Sequence, residues 1–166
     1  MSEQFSQSPF DPNLFLDAQT AEPNVKRPPL PPENPETSDG TYLGVIRGVK
    51  ATSGIMEKGD RAGQPWLSMV VPIHIEVPPK LQDAMKLPGT VILSDSCFID
   101  LTPANTIDNG VGKNRRQRQY RDALNMNNPG DVWSWRKAEG QPVRIKITHE
   151  IYNGEVQDRV GLLFKV

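Results

Sequence analysis

At 166 residues and 36% hydrophobic side chains, the chain holds material for one domain and one core once any disordered segment is set aside. No apolar run approaches the roughly 20 residues of a membrane span, the opening Met1–Ser6 lacks the charged and apolar regions of a secretory signal, and the lone Cys97 excludes an internal disulfide. An intracellular protein in a reducing compartment is expected, with Cys97 as a small buried hydrophobe.

The net charge of −1 hides an asymmetry. Residues 1–40 carry two basic and seven acidic side chains, whereas residues 41–166 carry 17 basic and 13 acidic ones. Between Lys113 and Lys146 lie nine Lys or Arg against three acids, Asp122, Asp131 and Glu139. Such a local excess is what binding a polyanion requires, although a solvated surface explains the charge equally well.

Eight of the 16 prolines fall in residues 1–40, and the run Arg27-Pro-Pro-Leu-Pro-Pro-Glu-Asn-Pro can be neither helix nor central strand. Residues 1–38 are therefore expected as a flexible, acidic, polyproline-like arm, with residues 39–166 as the folded domain. Within the arm, Phe10-Asp-Pro-Asn-Leu-Phe-Leu-Asp17 is an apolar island flanked by acids, which either docks on something or packs back on its own domain.

From Asp39-Gly40 onward the pattern is that of strands. Thr41–Lys50 is β-branched and aromatic, broken by Gly44 and Gly48 where a coiled first strand would need them. A loop is expected over Thr52–Gln64. Trp66–Val77 then alternates strictly, with Leu67, Met69, Val71, Ile73, Ile75 and Val77 inward and Trp66, Ser68, Val70, Pro72, His74 and Glu76 outward. Pro72 suggests an edge position or a bulge. Val91–Leu101 is a third strand, and Gly112–Asn125 is the long helix, with Tyr120, Ala123 and Leu124 as its apolar stripe. Val143–Tyr152, the turn Asn153-Gly154 and Glu155–Val166 form a hairpin, with Val143, Ile145, Ile147, His149 and Ile151, then Val156, Val160, Leu162, Phe164 and Val166, facing inward. Three strands, a helix and two strands match a five-stranded barrel of the oligonucleotide-binding type, mainly β with one helix between strands three and four. A β-sandwich is the structural rival.

Little in the sequence converges on catalysis. No nucleophile elbow, phosphate-cradling glycine loop or His-x-Glu with a Cys pair is present. His74 and His149 stand alone and read as structural, not as metal ligands. Asp95 and Asp100 point to opposite faces of a strand because their spacing is odd. A non-enzymatic protein without cofactor or metal is expected. Single-strand binding needs cations that track phosphates and aromatic faces on which bases stack. Trp66 on the second strand and Arg144, Lys146 and Tyr152 on the last hairpin point outward. Lys113, Arg115, Arg116, Arg118 and Arg121 run into the helix, and Trp133 and Trp135 share one face beside Arg136 and Lys137. Either tryptophan of that pair also reads as a lid on one end of the barrel.

Phe10–Asp17, Asp39–Tyr42, Phe98–Thr102, Gly112–Asn114, Asn128–Gly130 and the closing Gly140–Val166 hairpin resemble small bacteriophage proteins that are similar to phage single-stranded-DNA-binding proteins of the oligonucleotide-binding fold. The resemblance implies a protein that coats single-stranded DNA with little sequence preference during replication or recombination, in the host cytoplasm. One departure concerns the end of the chain. Such binders usually close on a mobile acidic tail, whereas this sequence closes inside a strand, Leu162–Val166, so recruitment of replication proteins would fall to the acidic N-terminal arm. A homo-oligomer is compatible with this reading, and membrane attachment is not part of it. Two other functions fit the arm: a virion structural or adaptor protein that threads it onto neighbouring subunits, and a protein-interaction module.

Overall fold

In the computed structural model, which describes residues 9–166, the glycine-interrupted run after Thr41 forms two strands, β1 (Tyr42–Ile46) and β2 (Lys50–Ile55), in place of the single strand expected over 41–50. Gly48, at φ +80°, makes the kink between them in a left-handed conformation that residues with a Cβ rarely adopt. The Glu139 carboxylate secures it, accepting hydrogen bonds from the N–H groups of Gly48 (2.9 Å) and Val49 (2.6 Å). Those two bonds hold the Glu139 carboxyl below its usual range.

Both short strands lie along one edge of the long β3 (Pro65–Glu76), β1 against Ile73–Ile75 and β2 against Pro65–Val70. Thr52–Ile55, expected as loop, is therefore part of a strand. Pro72 is neither at an edge nor in a bulge. Its C=O accepts from Arg47 N–H (3.1 Å) at the step between β1 and β2, and its missing donor faces that same gap, so the ladder loses nothing there.

After β3 comes α1 (Pro79–Met85), opened by Pro79 at its first position and closed by Lys86 in the left-handed region. Then β4 (Thr90–Ile99) pairs with β3 over ten residues, α2 (Arg115–Ala123) follows, and β5 (Pro142–Tyr152) and β6 (Glu155–Phe164) make the hairpin. The result is mainly β: a six-stranded antiparallel sheet in the order β2-β3-β1-β5-β6, with β4 on the other side of β3, and two helices in place of the one expected.

The sheet is not closed into a barrel. β4 and β6 approach one another without a hydrogen-bonded ladder, and α2 packs on both. The Arg116 guanidinium occupies this seam, donating to Asp95 Oδ2 (2.8 Å) on β4 and to the carbonyls of Gly161 (3.0 Å) and Val160 (3.2 Å) on β6. It thereby satisfies β6 acceptors that a neighbouring strand would otherwise use. Tyr120 adds a 2.7 Å hydrogen bond to the same Asp95 oxygen, and burial next to that carboxylate pushes its phenol well above the usual range.

The core follows the β3 alternation: Val71, Ile73, Ile75 and Val77 are fully buried with Tyr42, Ile46, Val91, Cys97, Tyr120, Val143 and Ile145. Burial lifts the Cys97 thiol to about 12, which leaves it unreactive near neutral pH. The last strand departs from expectation. A bulge sets Ile145 opposite Leu163 but Ile147 opposite Val160, so Leu163 packs on the core while Leu162 and Phe164 turn outward. His149, Ile151 and Val156 are also exposed, because that part of the hairpin projects past the end of β1.

The arm does not end at residue 38. Leu30 is completely buried, Arg27 makes a two-pronged ion pair with Asp158 (2.7 and 3.1 Å), Leu30 N–H donates to Asp158 (2.8 Å) and His149 Nε2 bonds Leu30 C=O (2.7 Å). Residues 26–41 are thus a strap on β5 and β6 that belongs to the folded body. The expected arm also includes residues 1–8, which lie outside the described residues.

Candidate nucleic-acid interface

The outward residues of the sheet divide into two groups at opposite ends. On β3, Trp66 stands opposite Gly54 of β2, and Phe98 of β4 stands opposite Ser68, one diagonal step from Trp66. The two rings meet edge to face with centroids 6.0 Å apart. Gly54 provides the seat: a Cβ there would lie 2.7–2.8 Å from three atoms of the indole, so only glycine lets the ring lie across the neighbouring strand. Trp66 is half-buried and Phe98 is 63% exposed, which leaves an aromatic surface open to solvent.

Cations flank this surface on two sides. Lys50 is exposed on the same face of β2, opposite Val70, and makes no ion pair with the described residues. On the other side, Asp100, just past the end of β4 and two residues beyond Phe98, locks the entry of α2. Asp100 N–H donates to Asn114 Oδ1 (2.8 Å), and Asn114 N–H donates to Asp100 Oδ2 (2.7 Å). That reciprocal pair brings the flanking Lys113 and Arg115 to the Phe98 end of the sheet. Lys113, Arg118, Arg121 and Asn127 then line an open cleft of about 370 Å³. Lys113 faces Asp108 loosely at 3.9 Å, whereas Arg115 and Arg118 are exposed and have no partner among the described residues. Arg121 donates to Met126 C=O (3.0 Å) and lies 5.9 Å from the Trp133 ring.

The remaining expected site residues lie elsewhere. Arg116 is committed to the β4–β6 seam. Trp133 and Trp135 pack edge to face at 5.3 Å, Trp135 against Tyr120 at 5.2 Å, with Trp135 Nε1 donating to Gln117 Oε1 (2.9 Å); both are half-buried against the core and form a lid. Arg144 and Lys146 point outward from β5, but at the Leu43–Glu76 end of the sheet. Ten residues along β3 separate Glu76 from Trp66, about 33 Å at a strand's rise. They face Asp39 and Glu33 of the strap, each at 3.7 Å. Tyr152 is exposed at the tip of the projecting hairpin.

Phe98, Gly54 and Lys50 were not singled out from the sequence. The signal for Phe98 was present: inward Val91, Leu93, Cys97 and Ile99 force it outward. Asp95 is held by Arg116 and Tyr120, whereas Asp100 lies past the end of β4 and is held by Asn114. Among the described residues no group of three or more His, Cys, Asp or Glu could hold a metal ion. No described helix is long and apolar enough to cross a membrane. Neither a protein-family model nor a curated protein sequence matches the chain.

Proposed function

We propose that the protein binds single-stranded DNA with little sequence preference, as a non-enzymatic coating protein of a phage replication or recombination system, and that its sheet is an oligonucleotide-binding barrel left open at one seam. The observation that carries the reading is the Trp66–Phe98 pair seated on Gly54 and partly open to solvent, flanked by Lys50, Arg115 and Arg118, which have no partner among the described residues. Bases stack on such rings whatever their identity, and Lys50, Lys113, Arg115 and Arg118 supply charge for the phosphates on either side. The strand order supports the fold assignment. Counting β1 and β2 as one kinked first strand, the chain runs strand, strand, short helix, strand, helix, strand, strand; α1 is an insertion between the second and third strands, and the β3–β4 face corresponds to the two strands on which that fold holds oligonucleotides.

Titration with oligo-dT should quench tryptophan fluorescence, and Trp66→Ala should remove most of the quench. Trp66→Ala and Phe98→Ala should each weaken binding by about 1–3 kcal/mol, with heparin affinity little changed. Equal competition by duplex DNA and heparin would reduce the surface to a nonspecific cation patch and sink the reading. A virion structural or adaptor role then comes first, favoured by the exposed Phe10–Leu16 island.

A further inference from the structure

We propose that the acidic, aromatic island Phe10–Leu16 docks on the apolar and cationic outer face of β1, β5 and β6 of a second copy of the chain, linking copies head to tail. The island is prepared for binding. Asp11 accepts hydrogen bonds from the backbone and side-chain nitrogens of Asn13 (3.0 and 3.1 Å), Pro12 opens a single turn of 3-10 helix, and Phe10 packs on Phe15 at 5.5 Å. Yet Phe10, Leu14, Phe15 and Leu16 remain between 63% and 81% exposed and contribute nothing to the core of their own molecule. A capped turn that leaves every large apolar group in water is a ligand without its receptor.

The receptor is the face that the aromatic surface leaves unused. Leu43, Arg144 and Phe164 stand side by side across β1, β5 and β6, and Leu162 joins them from the same face of β6. All three apolar residues are partly open to solvent, and Arg144, Lys146, Phe164 and Lys165 line an open cleft of about 740 Å³ together with Glu33 and Asp39 of the strap. The island presents apolar groups between Asp11 and Asp17, and the face presents apolar groups among three cations. The present partners of Arg144 and Lys146 are loose and solvent-exposed pairs, each 3.7 Å long, which an incoming carboxylate replaces at little cost.

Geometry favours a second copy over the chain's own face. The arm enters the body at Lys26, which pairs with Glu155 (2.9 Å) near the hairpin tip, whereas the receptor lies at the other end of β6. Nine residues of strand, about 30 Å, separate Glu155 from Phe164. A tether of ten residues from Leu16 to Lys26 spans at most about 33–36 Å. Docking on its own face would require the tether to double back at nearly full extension, while a neighbour's face imposes no such constraint. Because ligand and receptor are different surfaces of one chain, the contact is heterologous and builds rings or open rows of copies.

The test uses the full chain without DNA, its mass followed by sedimentation over a range of concentrations at low salt. The mass should rise with concentration, and Phe10→Ser with Phe15→Ser should hold it at the monomer, as should Arg144→Glu with Lys146→Glu. Phe10, Phe15 and Arg144 are exposed and Lys146 is partly so, and an unchanged melting temperature checks that the variants fold. Mixing the two double variants, one lacking the ligand and the other the receptor, should yield dimers and nothing larger. Both should bind a short oligo-dT as the wild type does, so that failure here is distinguishable from failure of DNA binding. A wild type that stays monomeric overturns the proposal, and so does association that survives either double variant. Loss of oligo-dT affinity in the Arg144/Lys146 variant with assembly intact also overturns it, by assigning that face to DNA.

Discussion

The β2–β3–β4 face and the β1–β5–β6 face are outward surfaces of one sheet, yet they are built to different ends. On the first, the Trp66 ring lies on a glycine beside Phe98, and nearby Lys50, Arg115 and Arg118 have no partner among the described residues. On the second, the cations sit among leucines and a phenylalanine and already face carboxylates of the strap. Charge and aromatic content, read along the chain, merge these surfaces into one binding site. The sheet separates them, because Trp66 and Arg144 lie at opposite ends of the β3–β1–β5 path. A cation's function depends on what the fold sets beside it, and only one of these faces pairs bare charge with open rings.

The largest effect that sharpens the contrast is on stability. The strap that supplies Glu33 and Asp39 to the second face is held through Leu30, whose side chain is fully buried. Leu30→Ala should cost about 2–5 kcal/mol, the range for truncating a buried leucine. Denaturant melts measure this directly, and a loss below about 0.5 kcal/mol, as for an ordinary surface substitution, would show that residues 26–41 are an accessory to the body.

Next in size is the response of the strap to acid. Burial alone would raise the Asp158 carboxyl, but the Arg27 guanidinium and the Leu30 N–H outweigh it and hold it below the usual 3.8. A carboxyl lowered in the folded state stabilises that state at pH values above 3.8, and the contribution fades as the pH falls through the lowered value. The strap should therefore be firm at neutral pH and loosen below pH 3.8, seen as faster hydrogen exchange at Leu30 N–H after normalising for intrinsic exchange. Asp158→Asn should abolish the pH dependence. Protection of Leu30 that is flat down to pH 2 would remove Asp158 from this role.

Much of the fold was legible where one physical signal acted alone. β3 alternates over Val71–Glu76, where Val71, Ile73 and Ile75 are buried between less buried neighbours because one side meets the core; toward its start Leu67 and Met69 are only half-buried and Ser68, outward by parity, is buried. β2 was hidden because nearly all of it is exposed, so burial imposes no alternation on Lys-Ala-Thr-Ser-Gly-Ile. α1 is a short helix opened by prolines, too brief for a 3.6-residue period to emerge. In β6, Leu162, Leu163 and Phe164 are apolar in both registers, so composition gave no sign of the bulge that decides which of them faces in. The candidate site was half legible for the same reason. Alternation places Trp66 outward, but the role of Arg116 depends on a seam between two strands distant in sequence, which no local pattern encodes.

The smallest effect is also the most specific to the aromatic face. Gly54 adopts an ordinary extended conformation, so Gly54→Ala imposes no backbone strain; its one consequence is a methyl group where the Trp66 indole now rests, 2.7–2.8 Å from three ring atoms. The ring must lift or rotate, because a Cβ does not approach other heavy atoms that closely. Stability should change by less than about 1 kcal/mol, since the indole is partly open to solvent and can shift outward, and alanine costs a strand no more entropy than glycine. Oligo-dT affinity should fall by less than it does in Trp66→Ala, because the ring remains but its orientation toward Phe98 is lost. Near-ultraviolet circular dichroism of the indole reports the displacement independently of DNA. A changed spectrum with unchanged affinity would mean that the seated geometry of Trp66 is a feature of packing, and stacking would then rest on Phe98 alone. An unchanged spectrum would mean that the sheet absorbs the methyl group, and a bulkier Gly54→Val would be required to move the ring.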